Sequence, residues 1–511
     1  GRMADILATI ATDQDLIIRS PLNQITVVQG GPGTGKTVVA LHRAAWLLYT
    51  FREKLAKDAI LVVGPSAAFL RYIDQVLPSL GETDIVLLTP GQLYPGVNAT
   101  IDDTFEVSGV KGGARMAQVL TNAVSHWSNI PDTPVSITTE GGTKLRISRS
   151  QLRDCVKSLS TRSTYHSNRE VFLKRVLDYL ANNLASDQGH EQLDHEARSD
   201  LIIDFIDDQN VRRVLNLMWM PTTPQKVLTK LFANPNFLQQ VSCDLLTSHE
   251  QALLFREKES PWTVDDVALL DECAELLGEW VRPLSATRET HSGYRELDAG
   301  EMRYSNRGGG SAHTSTVAER AHLDREWVYG HIVVDEAQEL SEMAWRAIQR
   351  RAVRKSMTIV GDLQQSSHPA GARDWNETLS WAGEKMALFT LNVTYRITEE
   401  TVQSAIEQLV KSGGNPPELV SIRSGSPTIH QSLSENEVID FLTMTMSGKA
   451  GRACAIIPDS LLSHWQEQFQ AQSADLGFGP AAIDSRIAVL SAKNTKGLEF
   501  DVVFVVNPDE I

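Results

Sequence analysis

Short apolar runs alternate with stretches of helical period over the first hundred or so residues. QITVVQ (24–29), AILVVGP (59–65) and DIVLLTP (84–90) read as buried strands, and TVVALHRAAWLLYTF (37–51) and the segment 67–76 read as helices between them. A short helix in DILATIATDQDLIIRSP (5–21) precedes the first strand and stops at Pro21. Buried strands separated by helices predict a parallel α/β sheet. From about residue 105 to 325 the texture becomes polar and helix-compatible, with Trp127, Trp219, Trp262 and Trp280 as expected core anchors. A Gly/Ser-rich stretch, SNRGGGSAHTST (305–316), predicts a loop or hinge near its end. The α/β texture resumes with HIVVDEAQ and SMTIVGD, so the middle of the chain reads as a large insertion. A second α/β unit is expected from about residue 388, with strands in FTLNVTY, SPTIHQSL, ACAIIPD, IAVLSA and DVVFVVN. There is no internal repeat and no sustained heptad pattern.

Length and charge narrow the class. A chain of 511 residues exceeds a single core and suits several domains. The formal charge of −16 argues against broad binding of a phosphate backbone, although a local basic groove is compatible with it. No apolar run approaches the roughly 20 residues of a membrane span, and no signal peptide opens the sequence. Cys155, Cys243, Cys273 and Cys454 are far apart and read as reduced thiols, not as a zinc site or a disulfide frame. The expectation is a soluble, cytoplasmic, multidomain protein.

Two motifs carry chemistry. Gly30-Gly31-Pro32-Gly33-Thr34-Gly35-Lys36-Thr37 fits GxxxxGK[ST] between a strand and a helix. Glycines at those positions let backbone N–H groups curl around phosphate oxygens at a helix N-terminus. Lys36 would reach the β- and γ-phosphates, and the Thr37 hydroxyl would ligate Mg²⁺. Ile332-Val333-Val334-Asp335-Glu336 is an apolar strand that ends in two carboxylates, one suited to a metal and the next to a general base. Alone, such a pair also serves as a helix cap; the phosphate loop favours the catalytic reading.

With these in place, the order GGPGTGKT, VVDEAQ, GDLQQ, TYR and KGLEFD resembles the motif series of superfamily 1 helicases of the UvrD/Rep type, over roughly residues 10–100 and 326–511. The wording LHRAAWLLYT and REWVYGHIVVDEAQELSEMAWR is similar to the HelD-like branch, Gram-positive and especially actinobacterial ATPases that bind RNA polymerase and clear inactive complexes. The resemblance implies that Gln14 reads the adenine edge, that Gln365 senses the γ-phosphate, and that Tyr395 stacks on the base while Arg396 reaches the γ-phosphate. It also implies that Gly497 and Glu499 link nucleotide state to domain closure. Gln364, Lys496 and Asp501 read as structural neighbours.

Four departures qualify the resemblance. After GDxxQ, translocating helicases carry an aromatic run that stacks on DNA, a contact worth ~1–3 kcal/mol per base. This chain has SSHPAGARDW there, with Pro369 and Ala370 in the region and Trp375 expected in the core. VVGPSAAFLRYI replaces a DNA-contacting motif, and its Phe69 and Tyr72 read as core. About 100 residues separate Arg396 from Lys496, too few for the extra domain of DNA helicases. The last family motif, with a second arginine finger, would fall after Ile511, and its loss predicts turnover lower by ~10³–10⁵. A helical hairpin that probes the polymerase secondary channel would precede Arg2. In the insertion, Asp200, Asp204, Asp207 and Asp208 could mimic phosphate, but a solvated face beside Leu201, Ile202 and Phe205 fits better. His190 and His195 lack metal-ligand spacing.

The expected architecture is therefore α/β, with two RecA-like P-loop NTPase domains. The first spans 1–105 and 326–387 and is interrupted by a mostly helical, polymerase-contacting insertion (106–325); the second, truncated, spans 388–511. ATP or GTP with Mg²⁺ would sit at a site formed by Gly31, Gly33, Thr34, Gly35, Lys36 and Thr37, with Asp335 on the metal and Glu336 as base. The expected protein is a monomeric nucleoside triphosphatase motor that drives release of the RNA polymerase core from nucleic acid and contacts nucleic acid only weakly or indirectly. The alternative is a superfamily 1 DNA translocase of repair.

Overall fold

The computed structural model describes residues 12–508 except 56, 67–68, 71–72, 74–84, 190–193, 280–315, 412, 414–415, 417, 427, 430, 432, 448–450, 471–474, 479–481, 483–484, 496–497 and 499. The chain is a mixed α/β protein with parallel sheets, about half helical. Its first sheet contains β1 (Ile25–Gly30), β2 (Ile60–Val63) and β3 (Ile85–Leu88). After an antiparallel hairpin of β4 (Val135–Thr138) and β5 (Lys144–Ile147), it resumes with β6 (His331–Val334), β7 (Met357–Gly361) and β8 (Met386–Leu391). The spatial order is β3-β2-β6-β7-β1-β8, and every pairing is parallel. Because β7 lies between β6 and β1, the carboxyl ends of three strands from distant parts of the chain converge, which is where open α/β sheets bind ligands.

The strand period of two divides the side chains between two cores. Val28, Ile60, Val62, Val333 and Val360 pack under the Lys36–Thr50 helix. Ile25, Val27, Leu61, Val63, Ile332, Val334 and Ile359 face the other way, into a cluster that runs without interruption into the insertion through Val119, Phe172, Leu231 and Leu269. The insertion and the first sheet thus share one core. Trp219 is buried there and Trp127 and Trp262 pack at its margin, whereas Trp280 and most of 305–316 fall outside the described residues. Asp200, Asp204 and Asp207 lie on an exposed face, while Phe205 is buried and Leu201 and Ile202 pack against the core.

Two further parallel sheets follow. β9 (Val393–Thr398) and β10 (Val420–Arg423) form a parallel pair. β11 (Ala453–Ile456), β12 (Leu476–Phe478), β13 (Ile487–Leu490) and β14 (Val502–Val505) form a parallel sheet in the order β12-β13-β11-β14. Two expectations are corrected. Strand pairing does not divide the chain at 388: residues 386–391 pair with β1, and Phe389 and Leu391 join the core under the Lys36–Thr50 helix. SPTIHQSL contains no strand among its described residues; the strand lies earlier, at β10. Among the described residues, no helix is long and apolar enough to cross a membrane, and all four cysteines are free thiols.

Candidate nucleotide site

The loop after β1 turns through Gly33 (φ 70°) and Gly35 (φ 87°), left-handed conformations that glycine adopts without steric cost. Its closure is internal: the Thr34 hydroxyl donates to the Gly31 carbonyl at 2.8 Å, and Lys36 Nζ donates to the same oxygen at 3.1 Å. Lys36 is therefore buried beside the loop with a carbonyl as its partner. β9 lies against this loop. A Cβ on Gly33 would come within 2.6 Å of Thr394 Oγ1 and 3.3 Å of Arg396 Cβ, and one on Gly35 would collide with the Tyr395 hydroxyl. The structure thus brings Tyr395 and Arg396 to the loop from the sequence that follows the first sheet. The Arg396 guanidinium lies 5.5 Å from the Tyr395 ring centroid.

The carboxylate pair arrives from β6. The Thr37 hydroxyl donates to Asp335 Oδ2 at 2.7 Å, joining helix start and strand end across 298 residues of sequence. Asp335 Oδ1 accepts the Glu336 N–H at 2.9 Å. Burial, then the adjacent Glu336 charge, pushes the Asp335 carboxyl above the ordinary aspartate range, against the pull of Thr37, the Glu336 N–H and Lys36. Glu336 itself has φ 48° and ψ 42°, a left-handed backbone uncommon for a non-glycine residue and costing about 1–3 kcal/mol. That geometry turns the chain sharply at the end of β6, and Glu336 Oε2 accepts the Gln338 side-chain N–H at 2.7 Å.

Gln338 extends the site to β7. Its Oε1 accepts the Asp362 N–H at 2.9 Å. Asp362, nearly fully buried, accepts from Gln29 Nε2 at 2.9 Å and from Gln365 Nε2 at 2.8 Å. Gln29 Oε1 in turn accepts the Trp375 indole N–H at 2.9 Å. Trp375 is buried, as expected from the sequence. Gln365 and Gln364 are both exposed on a short 3₁₀ turn.

Arg43 ties the segment 17–21 to β7. It is fully buried and donates to the Ile17, Ile18, Ser20 and Pro21 carbonyls and to Thr358 Oγ1, at 2.7–3.1 Å. These bonds satisfy the open carbonyl end of helix 12–18, on which Gln14 sits half-buried. Burial lowers the Arg43 pKa to about 10.

The donor set fits a magnesium-bound nucleoside triphosphate. A glycine cradle with left-handed turns, a buried lysine held on a loop carbonyl, and a hydroxyl–carboxylate pair with a second carboxylate beside it are what phosphate oxygens and an oxygen-ligating cation require. Gly31 packs against Leu419. Gly497, Glu499 and Lys496 fall outside the described residues, while Asp501 accepts the Arg452 N–H at 2.8 Å. Sequence reasoning missed Gln29, Asp362 and Arg43 as organisers; for Asp362 the GDxxQ spacing, which sets it three residues before Gln365, was the available signal. No protein-family model matches the chain, and no curated protein matches it at a significant level.

Proposed function

We propose that the chain is a magnesium-dependent nucleoside triphosphatase motor of superfamily 1 type, with two RecA-like domains. We further propose that it binds bacterial RNA polymerase and drives its release from nucleic acid. The observation that carries the first part is the 2.7 Å contact between Thr37 and Asp335 beside a left-handed Glu336. The second part rests on the motif wording of residues 41–50 and 325–346.

In this reading Lys36 and the N–H groups of Gly33, Thr34 and Gly35 bind phosphate, and Thr37 and Asp335 hold the cation. Bound Mg²⁺ supplies charge neutralisation on the phosphate oxygens. Glu336 accepts the proton of the attacking water, Gln338 fixes its carboxylate, and Arg396 contributes positive charge from beyond the first sheet. Gln14 and Tyr395 provide the base contacts, and Gly497 and Glu499 the link to closure.

The buried Trp375, bonded to Gln29, supports a motor without the base-stacking platform of a DNA translocase. Two assays test the reading. Core RNA polymerase should co-elute with the chain, and Lys36→Ala should abolish nucleotide-dependent release of nucleic acid from the polymerase. Fluorescence anisotropy with labelled single-stranded DNA should show weak, salt-sensitive binding that ignores nucleotide. Sub-micromolar, nucleotide-dependent DNA binding would instead favour the repair translocase.

A further inference from the structure

The segment directly after Gln365 is clamped onto the insertion. His368 Nδ1 accepts the Ala370 N–H at 3.1 Å, so the ring proton sits on Nε2, which donates to Asp265 Oδ1 at 3.2 Å. The other oxygen of Asp265 accepts the Ser108 hydroxyl at 2.5 Å. Asp265 stands in the first turn of the insertion helix Val264–Leu277, and Ser108 on the insertion helix Phe105–Gly112. That second helix presents glycines where the loop approaches. A Cβ on Gly112 would lie 2.9 Å from Ala370 Cβ and 3.1 Å from His368 Cε1, and one on Gly109 would lie 3.3 Å from Pro369.

The same loop is also bonded to the carboxylate turn. Ser366 Oγ and the Ala372 N–H both donate to the Gln338 carbonyl, at 3.1 and 3.0 Å, and the Ser367 N–H and hydroxyl donate to Glu339 at 2.8 and 2.9 Å. Its two fixed sides are therefore the insertion and the residues beside Glu336.

We infer that the insertion is a working part of the nucleotide site: Asp265 is a positioning residue that, through His368, sets the loop carrying Gln365 and so the response to the γ-phosphate. This rests on reading the cleft as a nucleoside triphosphate site. Asp265 touches no reacting group; it fixes the far end of a loop whose near end is the sensor. Loss of such outer support typically costs about 10-fold to 100-fold at a site. Coupling also runs in reverse, so a partner that displaces the insertion would alter nucleotide preference.

The test uses the full chain, with Asp265→Ala, His368→Ala and the two combined. Affinities for a fluorescent non-hydrolysable ATP analogue and for fluorescent ADP are measured with Mg²⁺, together with thermal midpoints. The expected result is a preference for the triphosphate over the diphosphate reduced by about 10-fold, with ADP affinity unchanged. The double variant should be no worse than either single one, and His368→Gln, which keeps an N–H donor, should restore much of the preference. An unchanged preference in both single variants overturns the inference, as does an equal loss of both affinities with a lowered midpoint, which is what a merely structural contact would give. If the unsubstituted chain binds neither nucleotide, the reading of the cleft fails, and this inference with it.

Discussion

Gln338 and Asp362 meet where two strands end: the Gln338 amide oxygen accepts the Asp362 N–H at 2.9 Å while its N–H₂ group donates to Glu336 at 2.7 Å. One side chain thus spans the carboxylate turn after β6 and the Leu363–Gln365 turn after β7. On the proposed function, Gln338→Ala should leave nucleotide affinity within about 3-fold and lower steady-state turnover by about 10-fold to 100-fold, because Gln338 would orient the Glu336 carboxylate without touching phosphate. Equal losses in binding and turnover would assign Gln338 to binding.

His331 makes stability depend on pH. It is fully buried, its Nδ1 at 2.8 Å from Ser356 Oγ and its Nε2 at 2.8 Å from Thr358 Oγ1. Ser356 Oγ already donates to the Leu22 carbonyl and Thr358 Oγ1 already accepts from Arg43, an arrangement that suits a neutral ring protonated on Nδ1. Burial, then the Arg43 charge, holds the imidazole pKa well below 6.5. The unfolded chain therefore binds the proton more readily, and stability is lost as pH falls below that value, at up to about 1.4 kcal/mol per pH unit for this group. Thermal midpoints between pH 7.5 and 5.5 should fall less steeply in His331→Gln than in the parent.

Arg43→Met removes five hydrogen bonds from a buried position and takes the guanidinium donors away from the Ile18, Ser20 and Pro21 carbonyls, while the Ile17 carbonyl keeps Ser20 as its donor. A single unsatisfied buried group costs about 1–3 kcal/mol. A loss of at least about 3 kcal/mol is expected in urea unfolding, together with weaker ATP binding through the displaced Gln14 helix.

The insertion is joined to the helix that follows the carboxylates by buried charge. Asp271 accepts from Arg350 at 2.6 Å and from Arg351 at 3.0 Å, and Glu272 accepts from Arg346 at 2.7 and 2.9 Å and from Arg350. Asp271→Ala removes the carboxylate paired with buried Arg351, which keeps only the Ala347 and Leu93 carbonyls among the described residues, and should cost about 3–5 kcal/mol. Because the insertion and the first sheet share a core, far-UV circular dichroism in urea should show them unfolding in one transition that moves as a whole in this variant.

Much of this was legible in the chain because buried parallel strands are nearly continuous apolar runs, and ILVV, HIVV and MTIVG stand out from their surroundings. FTLNVTY misled because it reads as one strand. Exposed Asn392 divides it, and the partner of its first half, β1, lies some 360 residues earlier, where no local pattern can point. The hairpin of β4 and β5 was missed although Gly142, at φ 81°, marks its turn. At the site, GxxxxGK[ST] and the acid pair are local signals and were readable. The Gln29–Asp362 bond and the Asp265–His368 clamp are not local: the fold alone brings together groups 333 and 103 residues apart.

The most direct measurement is a titration of fluorescent ATP with the purified chain, with and without Mg²⁺, alongside Lys36→Ala and Glu336→Gln. The expected result is Mg²⁺-dependent binding, lost by at least about 10-fold in Lys36→Ala and retained in Glu336→Gln, whose turnover falls by about 10²-fold to 10⁴-fold. Binding that is indifferent to both Mg²⁺ and Lys36 would contradict the assignment of the glycine loop and the Thr37–Asp335 pair as a nucleoside triphosphate site.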